Sequence, residues 1–282
     1  MPLEAYRATT PAAVQGGLEA FRSAHAEWKV QVDQRTGLLA SAVGRGIPWI
    51  PGRGNSLTAA AGGAGREPDM TVLETIARRE LVLAAPLLGV DAKDLVLNPG
   101  RSGHPTSYLW LIDFDLVRDG LAVEGAHVVF RVNNGNLIQL GSEYLPSPGT
   151  QVPPTKVDRA KALAVVAKLV GGLTKADTLV DAGSLHLLPA NVASPKAARG
   201  YEPGRGRRIV KVWQFTFRRQ GVIGTFQARV DATTGKLLEF QDVNLYAQGT
   251  GGVASNSAAG TEVVPIRYPL TVFPSGRPCH RR

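Results

Sequence analysis

Residues 230–238 read VDATTGKLL, and near the other end of the chain residues 32–39 read VDQRTGLL. In both, an apolar residue and Asp lead through polar positions to Thr-Gly and back into leucine. Gly37 and Gly235 supply the left-handed backbone that a tight strand connection needs. Asp33 and Asp231 carry side-chain oxygens that accept backbone N–H groups inside such a turn. Alternating residues flank each one: Trp28, Val30 and Val32 before the first, and Gln227, Arg229 and Leu237 around the second. The repeated phrase therefore predicts one β-hairpin in each half of the chain.

Working outward, Val14, Leu18 and Phe21 sit at helical spacing ahead of the first hairpin, which runs from about Trp28 to Val43. The stretch GRGIPWIPGRGNSLTAAAGGAGREPDM, residues 44–70, reads as a loop rich in Gly, Pro and Ala. It is no phosphate cradle, having no GK[ST] ending. A helix follows from Met70, capped by Asp69 or Thr71, with Leu73, Ile76, Ala77, Leu81 and Ala84 on its apolar face and Pro86 and Gly89 closing it. Strands are predicted at Tyr108–Leu116, Ala126–Val132 and Leu137–Leu140, joined through Asp119-Gly120 and Asn134-Gly135.

The stretch LPSPGTQVPPT, with Pro146, Pro148, Pro153 and Pro154, denies the chain a regular ladder at its midpoint and marks a boundary. Beyond it the plan repeats. A helix spans Val157 to Val170 with Ala160, Leu163, Ala164, Ala167 and Val170 on one face, followed by strands at Ser184–Leu188, Ile209–Phe217, Thr225–Val230 and Lys236–Gln241. The fold class expected is α+β, two helix-on-antiparallel-sheet modules in tandem. The divisions are an N-terminal segment 1–26, a module 27–145, a Pro-rich linker 146–156, a second module 157–246 and a poorly ordered tail 247–282.

Of the 282 residues 44% are hydrophobic, enough to fill a core, and a net charge of +9 suits an acidic partner without naming one. Cys279 is the only cysteine, so no internal disulfide forms and stability rests on packing. No run is long and apolar enough to cross a membrane. The opening MPLEAYRATTPAAV lacks a basic region followed by an apolar core, so no signal peptide is visible.

The search for chemistry returns little. His25, His104, His127, His186 and His280 include no HExxH pair or other metal-ligand spacing, and no G-x-S-x-G elbow is present. Cys279 beside His280, in a tail, lacks the frame that nucleophile activation requires. Asp113 and Asp115 alternate on one strand and share a face, where an ion pair is a better reading than acid–base work. The basic run from Arg199 to Arg219 interleaves with Trp213, Phe215 and Phe217. Those aromatics belong to a core face, however, which leaves the arginines as a basic edge and disfavours nucleic acid.

The words themselves carry a resemblance. GLAVEGAHVVFRVNNGNLIQLGS, through Gly120, Val123, Gly125, Val129, Phe130, Asn134, Gly135, Leu137 and Gly141, resembles the FTP propeptide module of fungalysin- and thermolysin-type zinc metallopeptidases. KVDRAKALAVVAKLVGG, WQFTF and GTFQARVDATTGKLLEFQDVNLYA resemble the PepSY module that follows it, most specifically at Asp231, Thr234 and Gly235. GTGGVASNSAAGTEVVPIRYP is similar to the passage into the mature enzyme, so the resemblance runs from about residue 28 to about residue 270.

The resemblance implies cystatin-like modules outside the cytoplasm, in the periplasm or the extracellular space. They would aid folding and inhibit a thermolysin/fungalysin-type metallopeptidase domain as their partner. It implies scaffold roles for the motif residues and no catalytic residue, cofactor or metal in this chain, since zinc belongs to a peptidase domain with HExxH that no stretch here matches. A fragment of a longer secreted peptidase is the expectation that follows. A stand-alone PepSY-type extracytoplasmic binding module is the alternative.

Overall fold

Both hairpins form where the repeated phrase predicts them. The computed structural model describes residues 12–57, 69–192, 204–244, 252–253 and 262–263. The architecture is α+β, with three helices and a large, mostly antiparallel sheet. The chain divides into two units: residues up to Pro153 together with His186–Lys211, and Pro154–Leu185 together with the chain from Val212. The second unit is therefore discontinuous in sequence. Arg199, Cys279, His280 and nearly all of the tail lie outside the described residues, apart from a short ladder of β12 (Gly252–Val253) with β13 (Glu262–Val263).

In the first unit, α1 (Ala12–Ala24) precedes β1 (Lys29–Val32) and β2 (Leu39–Pro48), and α2 (Met70–Leu88) leads through a 3-10 turn at Ala92–Asp94 into β3 (Leu95–Leu97) and β4 (Gly103–Thr106). Then come β5 (Leu109–Arg118), β6 (Leu121–Asn133) and β7 (Asn136–Glu143). The strands run β5-β6-β7-β2-β1, with β3 and β4 on the outer side of β5. Alternate residues Ile112, Phe114, Leu116, Val128, Phe130 and Val132 enter one core with Leu73, Ala77, Leu81 and Ala84 of α2 and Val14 and Leu18 of α1.

Asp69 caps α2 by accepting the Thr71 N–H, and Gly89 ends it at φ 63 with its N–H on the Ala85 carbonyl. Pro86 lies inside α2 instead of closing it. There its missing N–H leaves the Val82 carbonyl without its helical donor, and its ring faces Gly17 of α1, where an added Cβ would come within 3.0 Å. β2 likewise continues through Gly44–Pro48, which the sequence suggested was loop. Here Gly44 leaves the room Trp28 needs: a Cβ would stand 2.3 Å from the indole. The register shifts between Val43 and Ile47, so the glycines make an irregular strand.

The second unit holds α3 (Arg159–Leu169), β10 (Phe226–Asp231), β11 (Leu237–Asp242) and the parts of β8 (Thr178–Asn191) and β9 (Arg207–Arg218) that fall within it. β10 pairs antiparallel with β9 and β11, and β8 borders β9. Phe215, Phe217, Ala228 and Val230 form a core with Ala162, Val166 and Val170, and Trp213, Phe226 and Phe240 close its margin. The buried face of α3 is thus Ala162, Val166 and Val170, whereas Ala160 and Ala164 are exposed. Apolar residues occupy most sides of this helix, so its spacing alone does not choose a face.

Candidate functional site

The repeated phrase folds twice into the same object. At the first turn the Arg35 and Thr36 N–H groups donate to Asp33 Oδ1 at 2.8 and 3.2 Å. The Gly37 N–H donates to the Asp33 carbonyl, the Asp33 N–H to the Leu38 carbonyl, and the Leu38 N–H to Thr36 Oγ1. At the second, Thr233 and Thr234 donate to Asp231 Oδ1, both at 2.8 Å. Gly235 donates to the Asp231 carbonyl, Asp231 to the Lys236 carbonyl, and Lys236 to Thr234 Oγ1. Gly37 and Gly235 sit at φ 70 and φ 74, and a bulge precedes each turn at Gln31/Val32 and Arg229/Val230. Asp and Thr side chains take up backbone N–H groups inside each turn, and Gly supplies the positive φ it needs.

What docks on each turn differs. In the first unit Arg207, nearly buried, donates from Nη2 to Asp33 Oδ2 at 3.0 Å and from Nη1 to the Leu145 carbonyl at 3.1 Å. Its guanidinium lies 5.4 Å from the Tyr144 ring centre, and Ser147 Oγ accepts its backbone N–H. Burial acts to raise the Asp33 pKa, but the Arg207 charge and the N–H groups of Arg35 and Thr36 outweigh it and hold the carboxyl below its ordinary range. In the second unit the Ala232 carbonyl accepts the Lys156 and Val157 N–H groups, and Thr233 Oγ1 donates to the Pro154 carbonyl. Trp213 Nε1 donates to the Val157 carbonyl at 2.8 Å.

Gly120, Val123, Phe130, Asn134 and Gly135 lie on the strands of the first unit or in the turns between them. Asp119-Gly120 joins β5 to β6 at φ 50 and φ 76, and Asn134-Gly135 joins β6 to β7 at φ 47 and φ 81. Two successive positive φ values match the twist of the strands they connect. The Asn134-Gly135 tip is gripped by residues 49–55: the Trp49 and Ile50 N–H groups donate to the Gly135 carbonyl, and Asn55 Nδ2 donates to the Ile50 carbonyl and Asn136 Oδ1. Val123 is buried where β6 meets β8 at Leu187, and Phe130 lies 5.3 Å from Trp49 and 6.2 Å from Phe114, ring centre to ring centre.

Asp113 and Asp115 do share a face, and both are engaged by cations. Arg131 and Arg101 approach Asp113, while Arg101 and Asn98 Nδ2 approach Asp115. His186 Nδ1 lies 2.9 Å from Glu124 Oε1, His127 Nδ1 lies 2.7 Å from the Gly125 carbonyl, and His25 packs on Phe21 and Trp28. No group of three or more His, Cys, Asp or Glu among the described residues could hold a metal ion. Along the basic run, Arg207 is internal and Arg219 binds the Val170 and Gly172 carbonyls, leaving Arg205, Arg208 and Arg218 exposed. Sequence reasoning missed Arg207 as a partner of Asp33, since no local pattern signals a pairing across so much chain.

No protein-family model matches this chain in sequence, and no curated protein does. Among solved structures, the Bacillus megaterium YpeB C-terminal domain is a distant neighbour. The likeness covers 82% of this chain and 96% of that one, at 9% identity and a TM-score of 0.29. At that level it supports neither a fold assignment nor a function.

Proposed function

We propose that this chain is a non-catalytic binding protein of the metallopeptidase-propeptide kind: an FTP-like module over 27–145 and a PepSY-like module over 157–246, each cystatin-like. Its activity is to inhibit, and to help fold, a thermolysin- or fungalysin-type zinc peptidase domain outside the cytoplasm. Zinc belongs to that partner. The observation that carries the reading is the paired Asp-x-x-Thr-Gly turn, with matching hydrogen bonds in both units. The pinned Asp113 and Asp115 favour binding over catalysis. An inhibitory interface asks for about 800 Å² from each partner, and the charge of +9 favours an acidic catalytic domain.

Titration of the full chain against thermolysin-type and fungalysin-type peptidases from the same organism tests this. Stoichiometric loss of hydrolysis is expected, with no hydrolysis by the chain alone, zinc added or not. Absence of inhibition across those enzymes, or zinc-dependent hydrolysis by the chain, overturns it. A stand-alone PepSY-type binding module is the second reading, favoured by the apolar tip at Val222 and Ile223.

A further inference from the structure

One end of the second unit gathers exposed aliphatic side chains around a braced loop. The connection from β9 to β10 carries Val222 and Ile223 at its tip, between Gly221 at φ 75 and Gly224 at φ 149, and Ile223 is 84% exposed. Such exposure suggests a slack loop, but this one is tied down on every side. Arg219 at its start donates to the Val170 carbonyl at 2.7 Å and to the Gly172 carbonyl at 3.3 Å. The Gln220 N–H donates to Asp177 Oδ1 at 3.2 Å. At the far side the Thr225 N–H donates to Asp242 Oδ1 at 3.1 Å, and the Val243 N–H donates to the Thr225 carbonyl at 2.7 Å. A Cβ at Gly224 would stand 2.9 Å from the Phe226 ring, so the chain there rests against an aromatic.

These ties also place the neighbours. Asp177 begins the approach to β8, whose first turn outward exposes Leu179 and Val180, and Val243 is exposed after β11. Lys168 in the last turn of α3, Lys175 and Arg218 are exposed at this same end, with no carboxylate in ion-pair reach among the described residues. The acids here turn inward: Asp177 accepts the Thr174 and Gln220 N–H groups and Asp242 those of Thr225 and Asn244. The end is aliphatic at its tip and cationic around it.

A preorganised apolar projection loses little entropy on insertion. Protein hot spots favour Trp, Tyr and Arg and under-represent Leu and Val. An anionic bilayer takes apolar side chains at the headgroup boundary and basic charge above it. We propose that this end of the second unit is an interfacial anchor for anionic lipid: Val222 and Ile223 enter the headgroup–acyl boundary, and Lys168, Lys175 and Arg218 meet the headgroups. The proposal is independent of the metallopeptidase reading.

Co-sedimentation of the full chain with phosphatidylcholine vesicles, with and without phosphatidylglycerol, tests it. Binding is expected only with the anionic lipid, weakening as salt rises. Ile223→Ser weakens it about tenfold or more, and Lys168→Ser or Lys175→Ser about fivefold each. Lys29→Ser with Arg53→Ser, a loss of two charges in the first unit against one in each of those variants, leaves it within about twofold. An unchanged melting temperature for Ile223→Ser confirms the fold. No binding to either vesicle overturns the proposal, as does binding that Ile223→Ser leaves unchanged or that the Lys29 and Arg53 changes weaken equally.

Discussion

Replacing Asp33 and Asp231 by Asn, one at a time, uses the twin turns as controls for each other. Asn keeps an oxygen for the two N–H groups each turn directs at Oδ1, so the turn itself survives in both variants. Only Asp33 also loses an ionic partner. Breaking a buried pair costs about 3–5 kcal/mol. The Arg207 side chain is 8% exposed but that of Asp33 is 25% exposed, so solvent screens the carboxylate side. Arg207 also retains the Leu145 carbonyl and the Tyr144 ring. The loss expected for Asp33→Asn is therefore about 2 kcal/mol, against about 0.5 kcal/mol or less for Asp231→Asn.

Amide exchange read at Gly37 and Gly235 assigns each loss to its own unit. Acid provides a second arm. The Asp33 pKa is depressed in the folded state, so its contribution is complete above the ordinary carboxylate pKa and disappears as pH falls through the folded value. The gap between wild type and Asp33→Asn closes over that acid window. Equal losses in the two variants, or a gap at Asp33 that persists in acid, would refute the role given to Arg207.

Gly135→Ala should destabilise the first unit by about 2–4 kcal/mol, because its Cβ would meet the Ile50 carbonyl at 2.4 Å and φ is 81. Gly120→Ala, at φ 76 with open space around it, should cost only about 1 kcal/mol; chemical denaturation separates the two, and equal losses would remove the grip of residues 49–55 on the hairpin tip. Burial raises the Glu80 pKa, so its charged form opposes folding: stability is lost as pH rises through the folded value, and Glu80→Gln should raise the melting temperature at neutral pH and not in acid.

Local chemistry was the legible part. Asn134-Gly135, Asp119-Gly120 and the two Asp-x-x-Thr-Gly phrases announce their turns because only a few residues tolerate positive φ or satisfy an inward N–H. The α2 face was readable because Leu73, Ala77, Leu81 and Ala84 recur at spacings of three and four. Less was legible wherever tertiary packing overrode local preference. Gly44 looks like loop until the Trp28 ring is seen to need the space. Lone short strands such as β3 and β4 take their identity from β5, not from their own residues. Of the candidate site, the turn made by Asp231, Thr234 and Gly235 followed from residue type. The rigidity beneath Ile223 did not, being assembled from Val170, Gly172, Asp177 and Asp242, which lie scattered along the sequence.

The bond between Arg207 and Asp33 closes across 174 positions of chain. A ribosome adding about 5–20 residues each second needs roughly 9–35 s to travel from one to the other. Through that interval the first hairpin exists without its cation, and the nascent first unit waits for a strand not yet made. Truncated translation products ending before Arg207 should consequently be clients of chaperones and proteases, even when every residue of the first hairpin is present.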